Sequence, residues 1–136
     1  MNLVETLLKG DAKKASEKKT GIFKSARLAE ISGVKGKIDV EIRELTQRQI
    51  RRNLGTAIDK EGNPILERST DAEALIAVQG VVNPDLHDQR LREYYGCSSP
   101  KDLAEKLFGR ELSALADKIQ ELSEYDEEAE TEAIKN

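Results

Sequence analysis

Among its 136 residues the chain holds one histidine, His87, and one cysteine, Cys97. They are the only pair that could form a thiol–imidazole dyad, which needs the base within hydrogen-bond reach of the nucleophile. Asn83, Pro84 and Asp85 read as the opening of a helix over 86–95 that Gly96 closes. His87 then lies in its first turn and Cys97 beyond its end, roughly 15 Å away at 1.5 Å rise per residue. Ser-His-Asp chemistry would need the same histidine. A structural zinc site or an intramolecular disulfide needs more Cys and His than one of each. Carboxylates are plentiful, but a general acid needs one held in an apolar pocket, and these mostly stand beside Lys or Arg at positions expected to be solvated. Gly33-Val34-Lys35-Gly36 has two glycines but lacks the Gly-Lys-Ser/Thr ending and following helix of a phosphate loop. No catalytic, metal-ligating or cofactor-binding residue emerges.

Binding surfaces remain. Arg48, Arg51 and Arg52, with Lys13, Lys14, Lys18 and Lys19 earlier in the chain, form the best nucleic-acid candidate, because each neutralised phosphate releases counterions. Against it, no aromatic is interleaved for base stacking, and the charge is polarised. Residues 1–70 hold 15 Lys and Arg against 10 Asp and Glu, a net of +5, while residues 71–136 hold 7 against 16, a net of −9. Such asymmetry can steer a partner or let copies associate head to tail. For protein partners the candidates are Tyr94 and Tyr95, whose adjacent rings must leave a helix on different sides, and the stripe Leu112, Leu115, Ile119 and Leu122. The plainer reading makes the stripe core and the arginines a solvated helix face.

These residues need elements to position them. Leu3, Val4, Leu7 and Leu8 make one helical stripe ended by Gly10, followed to residue 20 by a basic stretch that reads as either a solvated helix extension or a flexible lead-in. Two strands are expected over 22–31 and 37–45, joined by a turn at Ser32-Gly33-Val34-Lys35-Gly36. In the second, Ile38, Val40 and Ile42 alternate with Asp39, Glu41 and Arg43, so one face is aliphatic and needs a cover. Thr46 and Gln49 have capping-box spacing and open a helix over 46–53. Residues 55–67 read as a loop or weak hairpin. Residues 72–82 could be a buried helix or a central strand, and Thr70 with Glu73 favours helix. Ser99-Pro100-Lys101-Asp102 opens a helix carrying Leu103, Leu107 and Phe108, which Gly109 interrupts. A final amphipathic helix carries Leu112, Leu115, Ala116, Ile119 and Leu122. Residues 124–136 hold six acids and one Lys and read as a disordered acidic tail.

The whole is an α+β protein: a small antiparallel β-hairpin packed on a mainly helical C-terminal half, one domain over 21–123. With two Phe, three Tyr and no Trp its core is small and aliphatic. The longest nearly apolar stretch, 74–82, is interrupted by Gln79 and Gly80 and falls short of the ~20 residues that cross a bilayer. A start without a basic region and apolar run predicts no secretory signal and a reducing compartment.

The order of segments adds a resemblance. A strand ending Val40-Glu41-Ile42-Arg43-Glu44-Leu45-Thr46 runs into a polar helix. Asn83-Pro84-Asp85-Leu86-His87-Asp88 then leads through Leu91 to Tyr94-Tyr95-Gly96. Lys101-Asp102-Leu103 and Leu107-Phe108-Gly109-Arg110-Glu111-Leu112 follow, before Leu115, Ile119 and Leu122. Over residues 37–125 this resembles the XkdN-like family of phage tail assembly chaperones. The family pattern has Gly-Glu before the last helix, where this chain has Gly109-Arg110-Glu111. The resemblance implies no catalysis and no cofactor. It implies a protein in the cytoplasm of the bacterial host that keeps the tape measure protein soluble, recruits tail-tube subunits and is absent from the finished virion. A frameshifted longer product is common in the group, and this chain would correspond to the short form. Self-association is compatible with that role. The rivals are a small DNA-binding regulator using Arg48, Arg51 and Arg52, and a structural tail component.

Overall fold

A computed structural model of the chain describes residues 2–124. Two short helices come first, α1 (Leu3–Leu8) and α2 (Ala12–Ser16), each started by a side-chain cap, Asn2 and Asp11 respectively. Neither buries a residue. Strand β1 (Thr20–Ser25) pairs antiparallel with β2 (Ile38–Arg43), Thr20 opposite Arg43 and Ser25 opposite Ile38.

The expected first strand runs only to residue 25, because Ser25 changes the backbone's course. Its hydroxyl accepts from the Leu28 amide at 3.0 Å and caps α3 (Ala26–Ser32), so the connection between the strands is a helix rather than a tight turn. Gly33, at φ 70°, ends α3: its amide and that of Val34 return to the Glu30 and Ala29 carbonyls. This is the Schellman pattern, and it needs a residue that accepts positive φ. The alternation in β2 holds, with Val40 and Ile42 buried while Asp39 and Arg43 face out.

Helix α4 (Gln47–Gly55) starts at the expected capping box, where Thr46 and Gln49 satisfy each other's backbone amides. After it, residues 56–65 make a small hairpin closed by an Ile58–Pro64 bridge. Helix α5 (Leu66–Gly80) resolves the helix-or-strand alternative towards helix but starts earlier than the Thr70–Glu73 signal. Thr70 lies inside it, and Ile65 precedes it without a side-chain cap. The apolar run then splits: Val81 leaves the helix to begin β3 (Val81–Asn83), a strand not anticipated from the sequence. It pairs antiparallel with β2, giving the order β1-β2-β3.

The helix expected over 86–95 is shorter. Asn83 and Pro84 are joined by a cis peptide, and Asp88, not Asn83, caps α6 (Gln89–Tyr94). Leu86 in the intervening turn is buried in the core. Helix α7 (Pro100–Phe108) has Ser99 as cap and Pro100 in its first turn, as the sequence spells. A single 3-10 turn (Gly109–Glu111) leads into α8 (Leu112–Ser123). The acidic tail lies outside the described residues except for Glu124, which follows α8.

One core joins these parts: Val40, Ile42 and Leu45 from the sheet side, Ala74, Ile76 and Ala77 from α5, Leu103, Leu107 and Phe108 from α7, and Leu115 and Ile119 from α8. Phe108 is its largest fully buried side chain. Leu115 has no exposed surface, so Leu115→Ala should cost about 2 to 5 kcal/mol in urea unfolding, a cavity cost that a surface leucine would not show.

Candidate functional site

The residues singled out by sequence fall into three environments. Leu112, Leu115 and Ile119 are buried, and Leu122 is half-buried close to Gly21 and Ile42, so the apolar face of α8 is occupied inside the fold. The tyrosines separate as adjacent helical positions must. Tyr94 is 82% exposed, Tyr95 packs on the core, and their rings meet edge to face with centroids 5.0 Å apart. Arg48, Arg51 and Arg52 are exposed on α4. His87 is exposed and Cys97 half-buried, with its thiol donating to the Tyr95 carbonyl at 3.6 Å. Among the described residues no group of three or more His, Cys, Asp or Glu is placed to hold a metal ion.

A polar lock that sequence reasoning did not find joins α3 to the end of α7. Glu111 accepts from the Ser25 hydroxyl at 2.6 Å and from the Ala26 and Arg27 amides at 3.0 Å each. These amides are unsatisfied donors at the start of α3, where the helix dipole favours an anion. The return contact comes from Arg27, whose guanidinium donates to the Leu107 and Lys106 carbonyls at 3.0 Å each, the free acceptors at the end of α7. Each helix end is thus closed by a charge of the opposite sign from the other element. Gly109 makes the approach possible: at φ 48° it takes a backbone conformation that L side chains rarely adopt, and a Cβ there would lie 2.7 Å from two atoms of the Arg27 guanidinium group. The glycine and the acid of Gly109-Arg110-Glu111 therefore have separate tasks, one steric and one electrostatic. A glycine followed closely by an acid before a helix was the available signal. Its partner, 84 residues earlier in the chain, was not visible.

The lock sets one wall of an apolar groove of about 250 Å³. Leu28 and Ile31 come from α3, Ile38 from β2, Pro84 from the turn after β3, Leu91 from α6, Tyr95 from just past its end, and Leu107 from α7. Leu28 and Leu107 are buried and form the floor, whereas Ile31 is 38% exposed at the rim. Asp39 stands at the mouth, paired with Lys24 at 2.9 Å. On the far wall α6 is held in place by Asp88, whose carboxylate accepts from the Arg90 and Leu91 amides and pairs with the Arg90 guanidinium at 2.8 Å. The Arg90 side-chain hydrogen bond is the main cause that holds the Asp88 pKa down at about 2, below its ordinary 3.8, with the two amide bonds and the Arg90 charge adding to it. A second apolar surface is uncovered on α1, where Leu3, Val4, Leu7 and Leu8 are 64% to 80% exposed.

Chemically, then, the described residues offer apolar surface framed by charge. The sequence pattern of the phage XkdN-like tail assembly chaperone family matches residues 4–135, and the chain belongs to that family. Among solved structures, the crystal structure of the protein YqbN, a Northeast Structural Genomics Consortium target, is similar with a TM-score of 0.54. The likeness covers 79% of this chain and 87% of that one at 19% sequence identity, and it is a likeness of fold. No curated protein sequence matches the chain significantly.

Two measurements test the walls of the groove. Glu111→Ala strips three donors of a charged acceptor at once and should lower stability by about 1.5 to 3 kcal/mol in urea unfolding, against a near-zero change for an ordinary exposed acid. The Asp88 carboxyl, followed by carbon NMR, should titrate near 2 rather than 3.8. Because its folded pKa is depressed, its support of α6 is complete above the unfolded value and fades as pH falls from about 4 towards 2. A midpoint at the ordinary carboxylate value would show that the Arg90 pair and the cap do not form.

Proposed function

We propose that this chain is a non-enzymatic chaperone for phage tail assembly that holds the tape measure protein through the groove between α3 and α6. The observation that carries the reading is that groove: leucine, isoleucine and proline side chains around one tyrosine, drawn from both the sheet and the helices. A long client helix with an apolar stripe aggregates unless that stripe is covered. Laying side chains from one turn of such a helix into an apolar slot is a common way for a small domain to cover it. Burial yields roughly 25 cal/mol per Å² of apolar surface, offset by the cost of association, so one slot of this size suits a reversible hold better than a permanent joint. Release before the virion is complete needs that reversibility.

Of the sequence-chosen partner residues Tyr95 lines the slot, while Tyr94 is not among the lining residues and meets the Tyr95 ring edge to face with its own ring exposed. Leu112, Leu115, Ile119 and Leu122 act at one remove, by fixing the core on which α7 and the sheet stand. The exposed stripe of α1 supports the same reading, since a chain with two separate apolar surfaces is equipped to meet two polypeptides, here the tape measure protein and tail-tube subunits. The setting would be the cytoplasm of the bacterial host. No helix among the described residues is long and apolar enough to cross a membrane.

Co-expression with the neighbouring tape measure protein should raise that protein's soluble yield and give a complex on gel filtration. Ile31→Asp, a change at the exposed rim, should abolish both while leaving the circular dichroism spectrum unchanged. No gain in solubility and no complex with the parent chain would sink the reading. Finding the chain by mass spectrometry in purified virions would instead make it a retained tail component.

A further inference from the structure

The sheet has two edges, and they are built differently. Strand β3 is three residues long, its pairing shifts register at Glu41 and Ile42 of β2, and Pro84 follows it at once. Shortness, a bulge and a proline each blunt a strand edge against further pairing. Strand β1 has none of these. It pairs regularly over six residues, and its one charged side chain, Lys24, is already tied to Asp39 of β2 at 2.9 Å. The neighbouring helices pack on the core side of the sheet, α8 against β1 and β2, α3 against β2 and α7.

One bond fixes which backbone groups of β1 face outwards. The Glu44 amide donates to the Lys19 carbonyl at 2.8 Å, and in an antiparallel ladder bonded pairs alternate with unbonded ones. Counting on from Lys19 and Glu44, the bonded pairs are Gly21 with Ile42, Phe23 with Val40 and Ser25 with Ile38. Thr20, Ile22 and Lys24 therefore turn their amides and carbonyls away from β2, and among the described residues nothing bonds to them. We infer that this edge pairs with the β1 edge of a second copy of the chain, antiparallel about a two-fold axis at Ile22, so that two three-stranded sheets become one. The register is self-complementary. Ile22 stands opposite Ile22 of the second copy and Thr20 opposite its Lys24, so every outward group is bonded and no like charges meet. The Ile22 side chains, 46% exposed on one chain, cover each other. On the core side the half-buried Phe23 falls opposite Gly21 of the second copy, a ring laid over a strand glycine. A register centred on Lys24 would oppose the two lysines, and one centred on Gly21 or Phe23 would leave outward groups unbonded. Such an interface is small, so the pair is reversible. It is independent of the groove between α3 and α6, none of whose lining residues belongs to β1, and of the client proposed for that groove.

Light scattering on the full chain at about 100 μM, where micromolar complexes are populated, should return twice the mass of one chain and fall towards one on dilution. Ile22→Pro removes an amide that has no partner within the chain, so it should leave the circular dichroism spectrum unchanged while weakening association at least tenfold. Ile22→Lys sets two like charges on the axis without touching the backbone. It should weaken association as much, and it guards against a local effect of the proline. Register is read with single cysteines in a Cys97→Ser background. Under mild oxidation Ile22→Cys should cross-link two chains, since opposed Cα atoms in a bonded pair lie about 5.5 Å apart, within disulfide reach. Thr20→Cys should cross-link at least tenfold more slowly, its two copies lying about 13 Å apart along the strands. A parent chain that stays monomeric at this concentration, a dimer that both Ile22 variants leave intact, or equal cross-linking at positions 20 and 22 overturns the inference.

Discussion

Gly80 ends α5 against Ile119 of α8 so closely that a Cβ on the glycine would lie 2.7 Å from two carbons of the isoleucine. A chain with two phenylalanines and no tryptophan has little bulk with which to fill gaps. It reaches native packing density by bringing helices together until aliphatic side chains interlock. The rest of the order follows from that contact. With α5 stopped against α8, Val81 turns into a strand beside β2, Leu86 enters the core, and the face of β2 that carries Val40 and Ile42 gains its cover. The stripe Leu112, Leu115 and Ile119 is the common wall of all these layers.

Polar chemistry is used sparingly and at the joints. Glu111 and Arg27 close each other's neighbouring helix ends, Ser123 accepts from the Leu45 amide at 2.8 Å, and Gln79 receives both Asn53 and Arg43. Apart from the side-chain pair of Asn53 and Gln79, each of these bonds joins a backbone group to a side chain distant in sequence. Such bonds add modest free energy each but specify one arrangement of the elements. That arrangement leaves a slot between α3 and α6 instead of letting them close together.

The functional reading grows from the same economy. If the chain holds a client as proposed, it keeps some apolar surface free while burying enough to fold. Here the slot between α3 and α6 and the stripe of α1 are two stretches of apolar surface left outside the core.

Local signals were decisive where the physics is local. The capping box at Thr46 and Gln49, the Ser99-Pro100 start of α7, the alternation of β2 and the period of the last helix are all written in residues a few positions apart, and each appears in the structure. So does the α+β class, because an aliphatic strand face and amphipathic helices can satisfy each other only by packing together. Tertiary structure decided what depends on distant partners. Ser25 ends a strand as a helix cap whose hydroxyl also binds Glu111, and Val81 belongs to a strand only because the edge of β2 is there to pair with it. Asp88 rather than Asn83 starts α6 once Leu86 is held in the core. The groove has no local signature at all, for its walls come from five elements spread between residues 28 and 107, and only their packing brings them to one place.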